Sequence, residues 1–170
     1  RTGMVVHGVP RVPFPAEYAR YAALWREKNP DWQYVRWTDQ SLFPLYNQER
    51  YLWTLETPEL TNSFRSALVR FEVLHRYGGI WFDPQMECLN PININLDTIG
   101  FVVDESASVI GASPNADFLW EIVVRLKQDK HALNNTALAV WHLYHVLLSH
   151  AEVTRIPVCK FFPHDKQGNV

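Results

Sequence analysis

Apolar positions along the chain recur with two spacings that take turns. Met4-Val5-Val6 is a short apolar run closing at His7-Gly8, and the proline-rich stretch 9–15 follows, the pattern of a buried strand leaving into a loop. Over Ala16–Lys28, Tyr18, Ala22 and Trp25 stand at helical spacing, and Asn29-Pro30 ends the helix because proline cannot continue it. Residues 32–37, Trp-Gln-Tyr-Val-Arg-Trp, are β-formers with partial alternation and predict a second strand ending at Thr38-Asp39. Pro44 and Pro58 interrupt the aromatic-rich stretch 40–60, which suits short helices.

From Asn62 the periodicity sharpens. Asn62 or Ser63 caps a helix in which Phe64, Ala67, Leu68, Phe71 and Leu74 repeat at three and four residues, and Gly78 stops it after Tyr77. Gly79-Ile80-Trp81-Phe82-Asp83 then reads as a short buried strand ending in a carboxylate. Strands are predicted near 99–103 and 108–112, helices over 113–130 and 135–149, and a final strand over 153–158. Strands alternating with helices predict an α/β sheet whose ligands lie at the carboxyl ends of its strands.

Composition narrows the function classes. The 170 residues carry 16 Lys+Arg against 18 Asp+Glu, a net charge of −2, which argues against a face built to grip nucleic-acid phosphates. One domain over residues 1–170 is the simplest organisation, because there is no repeat, linker or low-complexity segment and the length buries a sizeable core. Cys88 and Cys159 are too few for a disulfide framework and read by default as reduced thiols, with pairing to each other open if the protein is exported. No apolar run reaches about 18 residues, so the chain reads as soluble, cytoplasmic by default, with the secretory lumen open if a targeting segment was removed. Neither a P-loop, a GxGxxG fingerprint nor a Gly-x-Ser-x-Gly elbow occurs. His142 and His145 share a predicted helix face near His131 and His150, but no carboxylate motif accompanies them, and a zinc site has little support. With 7 Trp, 7 Tyr and 9 Phe, rings are abundant enough to serve both core and ligand platform. Tyr18, Trp25, Phe64, Phe71, Trp120 and Trp141 follow helical stripes and are assigned to the core, whereas Trp37, at a strand end, is placed to approach a base.

The stretch that carries chemistry runs from Arg70 to Gln85. A helix ending in Gly78-Gly79 and feeding at once into a strand that ends in Asp83 sets that carboxylate at the sheet's rim, where it suits either a metal or a ribose hydroxyl; capping the turn before Pro84 is the structural alternative. These residues resemble the DXD-containing sugar-binding region of the glycosyltransferase family 32 type, which includes yeast initiating mannosyltransferases, bacterial capsular sugar transferases and clostridial glucosylating toxins. That pattern, Ser-Asp-x-x-Arg-Tyr, then Leu, then Tyr-Gly-Gly-Ile-Tyr-x-Asp-x-Asp, is met by Ser66-Ala67-Leu68-Val69-Arg70-Phe71, by Leu74, and by Tyr77 through Gln85. Val6-His7, Asn29-Pro30-Asp31, Trp37 and Leu89-Asn90-Pro91-Ile92 extend the likeness over about residues 4–92.

The resemblance implies a GT-A-like mixed sheet flanked by helices, a UDP- or GDP-linked sugar donor, a divalent cation (Mn2+ or Mg2+), a glycan, protein or other hydroxyl acceptor, and retention of anomeric configuration. It also implies that the chain is short of part of the family's usual C-terminal region. Residue by residue, it implies that Asp83 contacts donor ribose and metal, and that Arg70 lies near the diphosphate and transferred sugar. Tyr77, Gly78 and Gly79 hold the turn that aims Asp83, and His7 lies at the first strand's exit near the nucleotide. Two positions depart from the pattern. Gln85 replaces the second Asp and offers a cation an oxygen without charge, and Ala67 replaces the helix Asp. Glu87 and Asp104-Glu105 are the acids nearest to compensate; His164 is a weak match to the family's later histidine. These departures keep two alternatives beside the glycosyltransferase: a catalytically weakened nucleotide- or sugar-binding module, and a viral enzyme glycosylating modified nucleic acid, which the charge balance disfavours.

Overall fold

A computed structural model describes residues 3–7, 16–56, 62–84, 86–93, 101–103 and 109–128. The side chains of 3–7, 62–64 and 101–103 lie outside what is described, as do the expected helix at 135–149, the strand at 153–158, the sites proposed at 104–105 and 164, the sequence-assigned core residue Trp141, and the histidines beyond 130. The chain runs β1 (Gly3–His7), α1 (Ala16–Lys28), β2 (Trp32–Arg36), α2 (Gln48–Glu56), α3 (Asn62–Tyr77), β3 (Gly79–Phe82), β4 (Phe101–Val103), β5 (Val109–Ala112) and α4 (Asp117–Gln128). Among the described residues the strands form one sheet in the order β2-β1-β3-β5-β4. β1 is parallel to both β2 and β3, whereas β3–β5 and β5–β4 are antiparallel, which is the mixed α/β sheet expected from the sequence.

The period-two alternation of the strands divides the interior into two cores. Ile80 and Phe82 of β3, Val109 of β5 and Tyr34 of β2 join Trp25, Met86 and Cys88 on the α1 side. Trp81, Ile110, Ala112 and Val35 join the apolar faces of α3 and α4 on the other. β3 is buried on both faces, which explains its unbroken apolar run.

Helix α3 lies between sheet and loops, and its buried Arg65 and Glu72 find partners in different segments. Arg65 donates from Nε to Thr54 Oγ1 (3.2 Å) and from a terminal nitrogen to the Thr54 carbonyl (3.0 Å) of α2. Glu72 accepts from the backbone amides of Tyr46 (2.5 Å) and Asn47 (2.8 Å) and from Asn47 Nδ2 (3.1 Å). Burial nevertheless pushes the Glu72 carboxyl above the usual range, with those hydrogen bonds and Lys127 opposing.

Three expectations about elements and core are corrected. The last described helix begins at Asp117 rather than at Ser113-Pro114, because Asn115 adopts a left-handed φ of 61° and donates its amide to the His75 carbonyl (2.7 Å), so a turn separates β5 from α4. Trp120 is not core. It is 42% exposed, one position off the buried stripe Leu119, Ile122, Val123 and Leu126, and lies beside the rings of Tyr46 (4.9 Å) and His75 (5.1 Å). Tyr18 is likewise only half-buried and stacks on Tyr21 along α1, whereas Trp25 and Phe71 are core as expected; Phe64's side chain falls outside the described residues.

Candidate donor site

β1 has β2 on one flank and β3 on the other, both parallel, so the chain reverses its direction of strand addition at β1. The carboxyl ends bordering such a switch point form a crevice where α/β sheets take their ligands. Here the last residues of the three strands, His7, Arg36 and Phe82, are mutually in register, and Asp83 is the next residue along β3. His7's side chain is outside the described residues, but its backbone position at the exit of β1 is the expected one.

Asp83 is held from two directions. Its carbonyl accepts the Met86 amide (3.0 Å), closing a turn with Pro84 at the second position, where proline's fixed φ suits the geometry. Its carboxylate lies 3.7 Å from the Arg70 guanidinium of α3, the Arg70 side chain being 8% exposed and that of Asp83 24%. The guanidinium also sits 5.8 Å from the centre of the Trp81 ring, so the neighbouring residue of β3 flanks the same cation. A buried cation thus faces a carboxylate whose other side reaches solvent.

The link between α3 and β3 demands glycine. Gly78 (φ 65°) and Gly79 (φ 101°) both occupy the left-handed region, and a Cβ on Gly78 would stand 2.6 Å from Pro114 Cδ and 2.7 Å from Pro114 N. Gly78 also returns its amide to the Leu74 carbonyl (2.7 Å), ending α3. Arg70 and Asp83 are therefore brought together by a hairpin of helix and strand with almost no slack. Tyr77 at this turn is part of an aromatic group rather than of the rim: its ring stacks on Trp37 (5.4 Å), meets Phe43 edge-on (5.7 Å) and lies beside the Arg76 guanidinium.

Two of the expected site residues, Trp37 and Glu87, fall elsewhere. Trp37 is 7% exposed in the core against Tyr77 and Phe43, a position that leaves its ring faces committed to protein neighbours. Ala67 is 4% exposed and belongs to the α3 core, beside Phe71 and Leu74. Gln85 lies outside the described residues. Glu87 pairs with Arg20 of α1 (3.5 Å). No three His, Cys, Asp or Glu side chains come together among the described residues. A divalent ion bound by protein draws on several oxygens, and the one acidic group described at the end of β3 already faces a guanidinium; the described donor set does not make a cation site.

Sequence reasoning missed the residues that hold the segment after Asp83. Trp25, Lys28 and Asn29 of α1 and its end bond to Met86, Leu89, Cys88 and Ile92. Asn29 read as part of a helix stop and of the Asn29-Pro30-Asp31 match, and no local signal marks contacts made across some sixty residues of chain.

Comparison with known proteins agrees with this architecture. The chain is 26% identical over 119 residues to inositol phosphoceramide mannosyltransferase 1 of Schizosaccharomyces pombe, covering 62% of this chain and 36% of that protein. It is 29% identical over 112 residues to mannosyl phosphorylinositol ceramide synthase CSH1 of Saccharomyces cerevisiae, covering 60% of this chain and 29% of that one. The chain thus spans about a third of the length of these curated relatives. Among solved structures, PaToxG glycosyltransferase superposes with a TM-score of 0.54 at 14% identity, covering 84% of this chain and 67% of that one, a likeness of fold. Residues 15–102 match the model of the glycosyltransferase sugar-binding region containing DXD motif, a span from α1 to β4 that takes in Arg70, the Gly78-Gly79 turn and Asp83, and the chain belongs to that family.

Proposed function

We propose that this chain is the donor-binding part of a glycosyltransferase that moves a sugar from a UDP- or GDP-linked donor to a hydroxyl acceptor with retention of configuration. The observation that carries the reading is the Arg70–Asp83 pair at the switch point of the sheet. The names of the curated relatives favour mannose as the sugar.

In this reading Asp83 accepts a hydrogen bond from a donor ribose hydroxyl and fixes the direction of Arg70. Arg70 places a planar, permanently charged fork against the diphosphate, where negative charge grows as the glycosyl bond breaks. A fixed cation in a dry site stabilises that charge far better than one in water, because nothing has to reorient as the reaction proceeds. Orientation of donor against acceptor supplies much of the remaining acceleration, and no side-chain nucleophile is assigned. The family implies a divalent cation, but the described residues do not build its shell.

A second reading, a binding module with weakened catalysis, is favoured by one observation: Ala67 stands in the core where the family places an acid. Calorimetric titration of GDP-mannose and UDP-glucose, with and without Mn2+ and paired with a turnover assay, separates them. Binding with release of free nucleotide supports the transferase. Saturable binding with no turnover supports the module, and no binding of either donor sinks both.

A further inference from the structure

The geometry points to Asn29 as a positioning residue: with Trp25 and Lys28 it clamps residues 86–92 onto α1 and so holds the Asp83–Met86 turn at the rim. The inference rests on the donor-site reading of Asp83.

Residues 86–93 follow the site carboxylate without forming helix or strand, so their backbone groups need partners from outside the segment. The end of α1 provides them. Trp25 Nε1 donates to the Met86 carbonyl (2.9 Å), and Lys28 Nζ donates to the Leu89 carbonyl (2.6 Å). Asn29 Oδ1 accepts the Ile92 amide (2.7 Å), while its Nδ2 donates both to the Trp25 carbonyl (3.0 Å) and to Cys88 Sγ (3.5 Å). Asn29 is 4% exposed, and its side chain closes the last turn of α1 and two points of the segment at once.

The clamp reaches the site through short links. Trp25 stacks on Phe82 at 3.9 Å with planes 15° apart, so one side chain touches the last residue of β3 and bonds the residue that closes the Asp83 turn. Met86 in turn donates its amide to Asp83. Releasing Asn29 leaves a part-buried amide at Ile92 and the Trp25 carbonyl without this partner, which favours lifting of the segment and loosening of the turn. Asparagine is suited to this position because it accepts and donates simultaneously. Aspartate retains the acceptor and loses both donors, so Asn29→Asp lies between wild type and Asn29→Ala.

Cys88 supplies a readout independent of catalysis, since its buried thiol sits inside the clamp and donates to the Asn90 carbonyl (3.3 Å). In a Cys159→Ser background, alkylation of Cys88 by iodoacetamide under native conditions is measured for wild type, Asn29→Ala, Asn29→Asp and Leu126→Ala. Leu126 lies in the α4 core away from the clamp and controls for general loss of stability. Donor KM and kcat are measured on the same proteins. We expect Asn29→Ala to alkylate at least tenfold faster than wild type and to lose at least tenfold in kcat/KM, with Asn29→Asp intermediate and Leu126→Ala unchanged in both at a comparable melting temperature. An alkylation rate in Asn29→Ala no greater than in Leu126→Ala overturns the clamp, whatever the kinetics. Faster alkylation with unchanged donor kinetics overturns the link to Asp83. Absence of turnover in wild type counts against the transferase reading, absence of donor binding counts against the donor-site reading of Asp83, and either leaves the thiol rates to decide the clamp.

Discussion

The Arg70 guanidinium stands 3.7 Å from the Asp83 carboxylate, across a turn of two glycines that sets how α3 meets β3. Replacing Arg70 by lysine keeps the charge and discards the planar fork, so the diphosphate loses paired contacts while the fold retains a cation. We expect Arg70→Lys to lower kcat/KM for donor by about 10²-fold with a melting temperature close to wild type, a result checked by steady-state kinetics beside a thermal melt.

Gly78 is the rigid point of this arrangement. An alanine there meets Pro114 at 2.6 Å and inherits a φ of 65°, so Gly78→Ala is expected to destabilise the fold by about 2–4 kcal/mol. Urea denaturation of the variant and wild type measures the difference directly. A loss below about 0.5 kcal/mol means that the turn and the Pro114 loop are free to separate.

Glu72 gives a pH signature. Burial raises its folded pKa above the unfolded value, so the native state holds this proton more tightly; the associated stability is complete below the ordinary glutamate pKa and is lost as pH rises through the raised one. Stability measured at a series of pH values therefore declines across that window in wild type and flattens in Glu72→Gln. Glu72→Ala, which strips the acceptor from the Tyr46 and Asn47 amides, costs about 3 kcal/mol.

The two departures from the family pattern behave differently when reversed. Gln85→Asp adds a carboxylate two residues from Asp83 and is expected to tighten Mn2+ binding at least about tenfold, as read by titration of the metal. Ala67→Asp puts a carboxylate into the α3 core and is expected to cost about 3 kcal/mol or more in stability. Equal, small stability changes for both variants contradict the placement of Ala67.

Local pattern made much of this fold legible. The bounds of α1 follow from its apolar spacing and Pro30, and β3 from four apolar residues between Gly78 and Asp83. That Arg70 and Asp83 serve one site was implied by the family resemblance; their pairing across the tight turn between α3 and β3 is a finding of the structure. Trp37 was different: a strand-end tryptophan has the same local signature whether it meets a base or, as here, Tyr77 and Phe43. Trp120 stands three residues before the buried Val123, so spacing alone groups it with the stripe, but it lies at the edge of the buried face and meets Tyr46 and His75 instead. The roles of Glu72 and Asn29 depend on partners distant in sequence, and neither periodicity nor capping rules report such contacts.

The most direct test of the donor site is calorimetric titration of a nucleotide-sugar donor into wild type and Asp83→Asn, a change that keeps shape, removes the charge and turns one acceptor oxygen into a donor NH2. The account predicts saturable binding by wild type and a loss of at least about tenfold in affinity for Asp83→Asn, with the two proteins melting within a few degrees of each other. Equal donor affinity in the two proteins contradicts it.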